Sequence, residues 1–240
     1  MILAVHQPQY LPWLGYFDKM DAADVFCFLD DVQFKKNEWQ NRNRIRKPDG
    51  WQWLTVPVLH DFGQLIRDVR TNDKQAWRRK HLAAIRTSYA KAAHYEDVAP
   101  LLEHALGREW ELLAPLCIRL CTDIASRLGL TTRLVTSSAH DTSDDPTGRL
   151  VDLCRALGAD TYLSGAHGTD YMELDRFEDA GIDVLVQHYE HPEYEQLHPG
   201  FEPFMSVVDL MLNHGERSLD ILRGGRRIRG CRTRLKKGEK

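Results

Sequence analysis

The chain has 240 residues, of which 42% are hydrophobic and 28% charged, a balance typical of a globular protein with a substantial core. No apolar run reaches the roughly 20 residues that a membrane helix needs, and no basic segment precedes a long apolar stretch near the first residue. This composition excludes a membrane partner and a secretory signal, and we expect a cytoplasmic protein.

The first 31 residues have the pattern of a β-α-β unit that ends in two acids. Residues 2–5 and 25–29 are apolar strand patterns, and apolar residues at helical spacing connect them up to about residue 23. The carboxylates Asp30 and Asp31 follow the second strand directly. In parallel sheets, ligand sites form at the carboxyl ends of strands.

The turn between the first strand and the helix is the first candidate site. Pro8 favours an extended conformation for Gln7, and Pro12 suits the first turn of a helix. We expect His6, Gln7 and Tyr10 to be presented from this turn rather than packed. A polar turn that only caps the helix is the alternative.

Residues 39–58 have the pattern of a β-hairpin around the Pro48-Asp49-Gly50 turn. Alternation places Arg42, Arg44 and Arg46 on one face, close to tryptophans. Such a face suits a phosphate-bearing ligand, and a solvated surface is the alternative. Residues 73–128 then form a helical segment, with helices predicted at about 73–90, 98–106 and 110–128.

The second half of the chain alternates strand and helix. Strands are predicted at 133–137, 161–163 and 184–186, with helices between them and a further helix at 206–215. The strand at 161–163 opens into a turn with Ser164, Gly165, His167, Gly168 and Tyr171, the second candidate site. Alternation of this kind predicts an α/β fold with a mostly parallel sheet and helices on both faces.

Two further segments carry weaker signals. His188 and His191 are three residues apart in a proline-rich loop, but no cysteine or second histidine pair joins them, so we predict no metal site. Residues 223–240 carry a charge of +8, which leaves −11 for residues 1–222 given the total of −3. We predict one α/β domain over 1–222 and a basic, flexible tail over 223–240, with nucleic acid an improbable partner.

With these residues identified, the chain resembles the WbqC-like protein family. The resemblance covers about residues 1–222, and it depends on several sequence blocks in the same order: His6 to Tyr16, Phe28 to Gln33, Trp39 with Asn41-Arg42, Leu54 to Val58, Leu163-Ser164-Gly165 with Gly168 and Tyr171, and the helix from Ser206 to Gly215. The opening strand, polar turn and helix also resemble, more remotely, those of nucleotidyltransferases and adenylate-forming ligases. The expected fold is therefore a Rossmann-like or nucleotidyltransferase-like core, with the β-hairpin inserted and a helical middle segment.

The resemblance also implies an amide-forming function. Members are implicated in attaching an acyl or aminoacyl group, often glycyl, to an amine in surface-polysaccharide and specialised-metabolite pathways. The expected donor is a carrier-protein thioester, whose phosphopantetheine is the only cofactor implied, and the expected acceptor is a small amine or amino sugar.

This chemistry assigns expected roles to the candidate residues. His6, Asp30 or Asp31 would take the proton of the incoming amine, and one of the acids would instead bind its ammonium group. Backbone N–H groups near Ser164 and Gly165, or Asn41, would hold the oxyanion. The remaining candidates would bind substrate, with the cationic groups on the phosphate: Gln7, Tyr10, Gln33, His167 and Tyr171, together with Arg42, Lys35 or Lys36.

Two other functions remain open from the sequence. A nucleotide-dependent ligase or nucleotidyltransferase would use Asp30 and Asp31 for Mg²⁺ and the turn after the first strand for phosphates. No recognised phosphate-binding glycine motif supports it. A non-catalytic binding protein using the same cleft is the third hypothesis.

Overall fold

The structure is a computed structural model that describes residues 1–231. In chain order its strands are β1 (Ile2–His6), β2 (Val25–Phe28), β3 (Arg42–Lys47), β4 (Gly50–Thr55), β5 (Val58–Leu59), β6 (Arg70–Thr71), β7 (Arg133–Thr136), β8 (Thr161–Gly165), β9 (Asp183–Gln187) and β10 (Ile228–Gly230). The helices are α1 (Leu14–Asp21), α2 (Trp77–Tyr89), α3 (Tyr95–Leu106), α4 (Leu113–Leu128), α5 (Pro146–Leu157), α6 (Leu174–Asp179), α7 (Val207–His214) and α8 (Ser218–Gly224).

A six-stranded sheet in the order β10-β9-β8-β1-β2-β7 forms the centre of the molecule. All neighbouring strands in it are parallel except β10, which runs antiparallel to β9. The α/β fold with a mostly parallel sheet, predicted from the alternation of strand and helix patterns, is confirmed.

Side chains alternate across β1 and so divide the core between the two faces of the sheet. Leu3 and Val5 belong to a cluster with residues of α5 and α6, whereas Ala4 belongs to a larger cluster with α1 to α4 and α7. Helices therefore cover both faces, as predicted.

Helix boundaries follow the local sequence signals. The Asp145 carboxylate accepts a hydrogen bond from the Gly148 N–H at 2.6 Å and caps α5, whose first residue is Pro146. The helix ends at Gly158, whose φ of 74° lies in the left-handed region that glycine adopts without strain.

The segment between β2 and β7 holds the predicted hairpin and helices. Strands β3 and β4 pair antiparallel from Arg42 opposite Thr55 to Lys47 opposite Gly50. Helices α2, α3 and α4 follow, and α4 packs its buried face into the larger core. No helix in residues 1–231 has the length and apolar character needed to cross a bilayer.

The structure differs from the expected tail over residues 223–231. Helix α8 reaches Gly224, and β10 extends the sheet. Arg226 pairs with the fully buried Asp18 at 2.7 Å, and Arg223 pairs with Asp21 at 2.8 Å. The glycines and like charges predicted a solvated end, because the acidic partners lie about 200 residues away in sequence and are not visible in the local pattern. The rest of the predicted tail, residues 232–240, lies outside the described part of the chain.

Candidate functional site

The order of the strands reverses at β1. The chain passes from β1 to β2 on one side and later returns from β7 to β8 on the other. The crossover helices α1 and α5 lie on opposite faces of the sheet. The connections to these helices therefore leave β1 and β8 in opposite directions, which opens a space above the carboxyl ends of the two strands. Open α/β sheets bind ligands at such a switch point.

A cleft of about 570 Å³ lies at this switch point. That volume is within the usual range of small-molecule sites. Its polar lining comes from the ends of β1, β8 and β9 and from α1: His6, Gln7, Lys19, Ser164, His167 and Gln187. Trp13, Tyr16, Tyr162, Tyr171 and Tyr189 supply most of its aromatic wall.

His6 stands at the end of β1 and packs against Tyr16, with the two ring centroids 4.8 Å apart. Its Nδ1 lies 3.3 Å from the Gln7 backbone oxygen. Removal from solvent, and next the charge of Lys19, lower the pKa of His6 to about 3. The imidazole is therefore neutral at pH 7 and a weak acceptor of protons.

Lys19 of α1 is the most unusual group in the cleft. It is 4% exposed, and its Nζ donates a hydrogen bond to the Val5 backbone oxygen at 2.9 Å. Within residues 1–231 no carboxylate forms an ion pair with it. Burial lowers the pKa of Lys19 to about 7, so a large fraction of the side chain is a neutral amine near pH 7.

A buried polar network fixes the floor of the cleft beside Lys19. Gln187, at the end of β9, donates through Nε2 to Asp18 at 2.6 Å and to the Gly15 backbone oxygen at 3.1 Å. Burial raises the pKa of Asp18, although hydrogen bonds from Gln187 and Arg226 act in the opposite direction. The network holds α1, and with it Lys19, against the end of β9.

The turn after β8 forms the opposite wall. Ser164 is 1% exposed, and its Oγ donates to the Gly165 backbone oxygen at 3.0 Å. A Cβ at Gly168 would come within 1.8 Å of the Ser164 Oγ, so only glycine allows this close approach. His167 and Tyr171 line the cleft as exposed side chains at its rim.

The structure thus gathers seven of the predicted site residues in one cleft and separates the others from it. Those gathered are His6, Gln7, Ser164, Gly165, His167, Gly168 and Tyr171. Their catalytic and binding roles stay predictions.

The two acids lie elsewhere, contrary to the expectation of a shared cleft. Asp30 accepts hydrogen bonds from the Ser138 N–H at 3.1 Å and the Ser138 hydroxyl at 2.8 Å, and the Ser137 hydroxyl bonds Asp31. Asp30 lines a different groove with Arg67 and Arg119, at the ends of β2 and β7. Because β7 follows β2 at the edge of the sheet, serines after β7 draw the acids away from β1.

Tyr10 and Asn41 are packed rather than presented, which corrects the predicted binding roles. Tyr10 is fully buried and its hydroxyl lies 2.8 Å from the His81 Nδ1 of α2. Asn41 is 2% exposed and donates to the Val56 backbone oxygen at 3.0 Å. Tyr10 thus links the β1 turn to α2, and Asn41 links the two ends of the hairpin segment. Turn chemistry in the sequence does not reveal either contact.

The predicted phosphate ligands also lie outside the lining of the cleft. Arg42 stacks on Trp53, with its Cζ 4.2 Å from the ring centroid. Gln33 and Lys35 are exposed in the segment between β2 and the hairpin, where Gln33 forms a backbone bridge to Leu65. Arg46, on the same hairpin face as Arg42, donates instead to the Gly50 and Pro199 backbone oxygens.

Sequence reasoning missed Lys19 and Gln187. Lys19 lies four residues after Gly15, on the helix turn next to the site, but a lysine in an amphipathic helix is normally assigned to solvent. Gln187 was the polar end of a buried strand, the same signal that identified His6.

Within residues 1–231 no cluster of His, Cys, Asp and Glu could hold a metal. His191 instead accepts from the Phe204 N–H at 3.1 Å.

Comparisons with known proteins cover nearly the whole chain. The profile of the WbqC-like protein family matches residues 7–221. The uncharacterized protein Rv1507c of Mycobacterium tuberculosis is 38% identical over 225 residues, which span 92% of this chain and 97% of that relative. No solved structure gives a significant match. The matched stretch includes Lys19, Ser164 and Gln187 of the cleft.

Proposed function

Because this chain belongs to the WbqC-like protein family, we propose that it transfers an acyl or aminoacyl group, such as glycyl, to an amine and forms an amide. The donor is a thioester carried on the phosphopantetheine of a carrier protein, and the acceptor is a small amine or amino sugar. The observation that supports this proposal is Lys19, a buried lysine in a cleft at the switch point of the sheet, with no acidic partner among residues 1–231.

Amide formation at neutral pH needs a base, because the nitrogen of the acceptor amine must lose a proton as it bonds to the carbonyl carbon. A general base works best when its pKa lies near the working pH. Lys19 meets that condition, since burial lowers its pKa to about 7. Nζ donates one hydrogen bond to the Val5 backbone oxygen, which orients the amine. A carbonyl oxygen carries no full charge, so this bond does not form an ion pair.

The other candidates for the base are weaker. The pKa of His6 is about 3, because of burial and the nearby Lys19 charge, so an imidazolium would release its proton at once. The carboxylates of Asp30 and Asp31 are occupied by serine donors outside the cleft. We therefore assign the base to Lys19 and leave His6 as a neutral group that shapes the cleft and hydrogen-bonds the substrate.

The proposed step balances in protons and electrons. The bound ammonium first loses one proton to solvent, and the free amine attacks the thioester carbonyl carbon. Neutral Lys19 takes the second proton from the attacking nitrogen while the carbonyl oxygen becomes an oxyanion. The oxyanion then collapses, the C–S bond breaks, and Lys19 returns its proton to the leaving thiolate. The products are an amide and a free thiol.

The β8 turn supplies groups of the kind that an oxyanion needs. Among the described residues, the Ser164 Oγ hydrogen-bonds only the Gly165 backbone oxygen, so a small rotation of the hydroxyl would turn it toward a ligand. Backbone N–H groups of the same turn are the second source of donors. Donors held in place, such as backbone N–H groups of a fixed turn, contribute about 3–4 kcal/mol each to the transition state in acyl transfer.

The experiment presents the purified protein with glycyl groups on a carrier protein or on free pantetheine, together with a panel of amino sugars. Mass spectrometry should detect an amide with wild-type protein and at least a hundredfold less with Lys19→Met. Activity that needs ATP and Mg²⁺ instead of a thioester would favour the ligase hypothesis. No amide from any donor, with unchanged thioester, would contradict the transferase.

A further inference from the structure

Three tryptophans remain partly exposed on the outer face of the hairpin. Trp39, Trp51 and Trp53 are 38%, 37% and 37% exposed, which is high for the largest side chain. Together with Arg42 and Arg44 they form a contiguous surface, called the indole platform below.

The platform is held together by ring contacts. The Trp53 ring centroid lies 5.5 Å from that of Trp51 and 5.6 Å from that of Trp39. Arg42 lies 4.2 Å above the Trp53 ring, and Arg44 lies 4.9 Å above the Trp51 ring. Stacking presets both guanidinium groups and the rings in one arrangement, which lowers the entropy lost when a partner binds.

In the part of the chain that the structure describes, no carboxylate forms an ion pair with the arginines of the platform. Arg46 lies on the same face of β3, but it is 3% exposed and its guanidinium donates to backbone carbonyls. Arg42 and Arg44 form no ion pair within residues 1–231, and their buried Nε atoms find no hydrogen-bond acceptor. Packing of the hairpin explains the position of Arg46 but not that of the half-buried Arg42 and Arg44.

The platform is continuous with the mouth of the cleft. Arg44 donates to the Phe204 backbone oxygen at 3.2 Å. The Phe204 ring is 48% exposed and lies 5.9 Å, between centroids, from the ring of Trp13. Trp13 lines the cleft itself. A partner seated on the platform therefore lies beside the entrance to the site.

We propose that the indole platform is the docking surface for an acidic protein partner, and, resting on the proposed function, that this partner is the carrier protein that delivers the thioester. Tryptophan and arginine are the residues that dominate binding energy at protein interfaces. Carboxylates of an acidic partner pair with Arg42 and Arg44, and its apolar side chains cover the three indoles. The prosthetic arm then reaches the cleft past Phe204 and Trp13.

A single-stranded nucleic acid is the other macromolecule that stacks on aromatic and arginine side chains. Such sites also need a positively charged groove along the backbone of the strand. The full chain carries a net charge of −3, and the platform offers two arginines, fewer cations than a long phosphate backbone would engage. An acidic protein contributes only local carboxylates and is the better match.

The test measures binding of a holo carrier protein loaded with glycine to the full chain by biolayer interferometry. Arg44→Glu and Trp51→Ala should each weaken binding at least tenfold. Thiol release from free glycyl-pantetheine should stay within twofold of wild type, because that donor needs no docking. Arg79→Glu, a charge reversal on the exposed side of α2, is the matched control and should bind normally.

The possible outcomes test the docking surface separately from the proposed transferase activity. Unchanged carrier binding in both platform variants overturns the docking surface, and so does a wild-type protein that does not bind the carrier. Loss of reaction with free pantetheine donor in the same variants overturns it too, since the defect then lies in the fold or the cleft. Tighter binding of polyuridylate than of carrier, lost in Arg44→Glu, assigns the platform to nucleic acid. Carrier binding without amide formation from either donor overturns only the transferase.

Discussion

The Lys19 ammonium donates its hydrogen bond to the backbone oxygen of Val5 at 2.9 Å, so a helix side chain closes the end of the central strand. Val5 precedes His6, whose pKa the same ammonium helps to lower. Burial lowers the pKa of both basic groups in the cleft, and the Lys19 charge lowers that of His6 further.

Replacing Lys19 by methionine should stabilise the protein and abolish transfer. The lowered pKa means that the unfolded chain binds more protons than the folded one between about pH 7 and about pH 10.4. The burial cost is therefore complete below pH 7 and disappears as the pH rises toward 10.4. In urea denaturation at pH 6, the free energy of unfolding of Lys19→Met should exceed that of wild type by about 2 kcal/mol. The relief of the burial cost outweighs the roughly 1 kcal/mol that the lost hydrogen bond contributes.

The pH dependence of that gain is the control. The difference between Lys19→Met and wild type should shrink steadily from pH 7 to pH 10. A constant difference would mean that the variant stabilises by better packing and that Lys19 is not buried as a charge.

The pH profile of transfer should report Lys19. If the neutral amine is the base, kcat/KM rises with pH and levels off above about 7, falling tenfold per unit on the acid side. His6→Asn should lower the plateau and leave the acid limb near pH 7, because the imidazole, with a pKa of about 3, does not titrate there. Loss of the limb in His6→Asn would assign the base to His6.

Gly168→Ala should damage the β8 turn. The new Cβ would lie 1.8 Å from the Ser164 Oγ and 3.2 Å from its Cβ, so the serine must move. We expect a stability loss of about 2 kcal/mol and at least a tenfold drop in turnover. Thermal denaturation and amide formation measure the two effects.

Two companions test the cause of that loss. Adding Ser164→Ala to Gly168→Ala removes the closest contact and should restore most of the stability, without restoring turnover. Gly165→Ala places its Cβ more than 4 Å from other groups and should cost little stability. Equal stability losses in Gly165→Ala and Gly168→Ala would contradict the steric explanation.

Asp209→Ala should lower the free energy of unfolding without altering any residue that lines the cleft. The carboxylate is fully buried and accepts from the Tyr89 hydroxyl at 2.7 Å and from the Tyr194 hydroxyl and Gln196 Nε2 at 2.8 Å. Removing it leaves three buried donors unpaired, at a cost of about 3 kcal/mol. Asp220→Ala, an exposed acid on α8, is the matched control in urea denaturation and should change little.

Arg226→Ala should cost far more stability than Arg223→Ala. Arg226 is the cation beside the fully buried Asp18, and its removal leaves that charge with Gln187 alone, a loss of about 3 kcal/mol. The Arg223 side chain is 48% exposed and should contribute less than about 1 kcal/mol. Equal losses in denaturant midpoints would place the two pairs in the same environment and contradict the burial of Asp18.

The order of elements was predictable because hydrophobic periodicity is a local signal. The same holds for part of the cleft: His6 and Ser164 follow apolar strands, and parallel strands bring such ends to one edge of the sheet. Which strands are neighbours is not a local property. Asp30 carried the same signal as His6, yet its strand lies next to β7, whose serines bind it.

Side-chain direction was the second limit. Tyr10 was predicted to be presented because turns are normally exposed, but α2 covers this turn and His81 bonds the phenol. Lys19 was assigned to no role because its burial depends on β1 and β9 together. Both errors come from tertiary contacts that short spacings do not encode.

The pairing of Asp18 with Arg226 has a consequence for synthesis of the protein. A nascent chain leaves the ribosome N-terminal end first, so α1 emerges about 200 residues before the cation that neutralises its buried acid. Until that arginine appears, burying Asp18 is costly, and the neighbouring lysine has no rigid support. The first strand-helix unit is made first, yet its cleft is completed only after Arg226 has been synthesised.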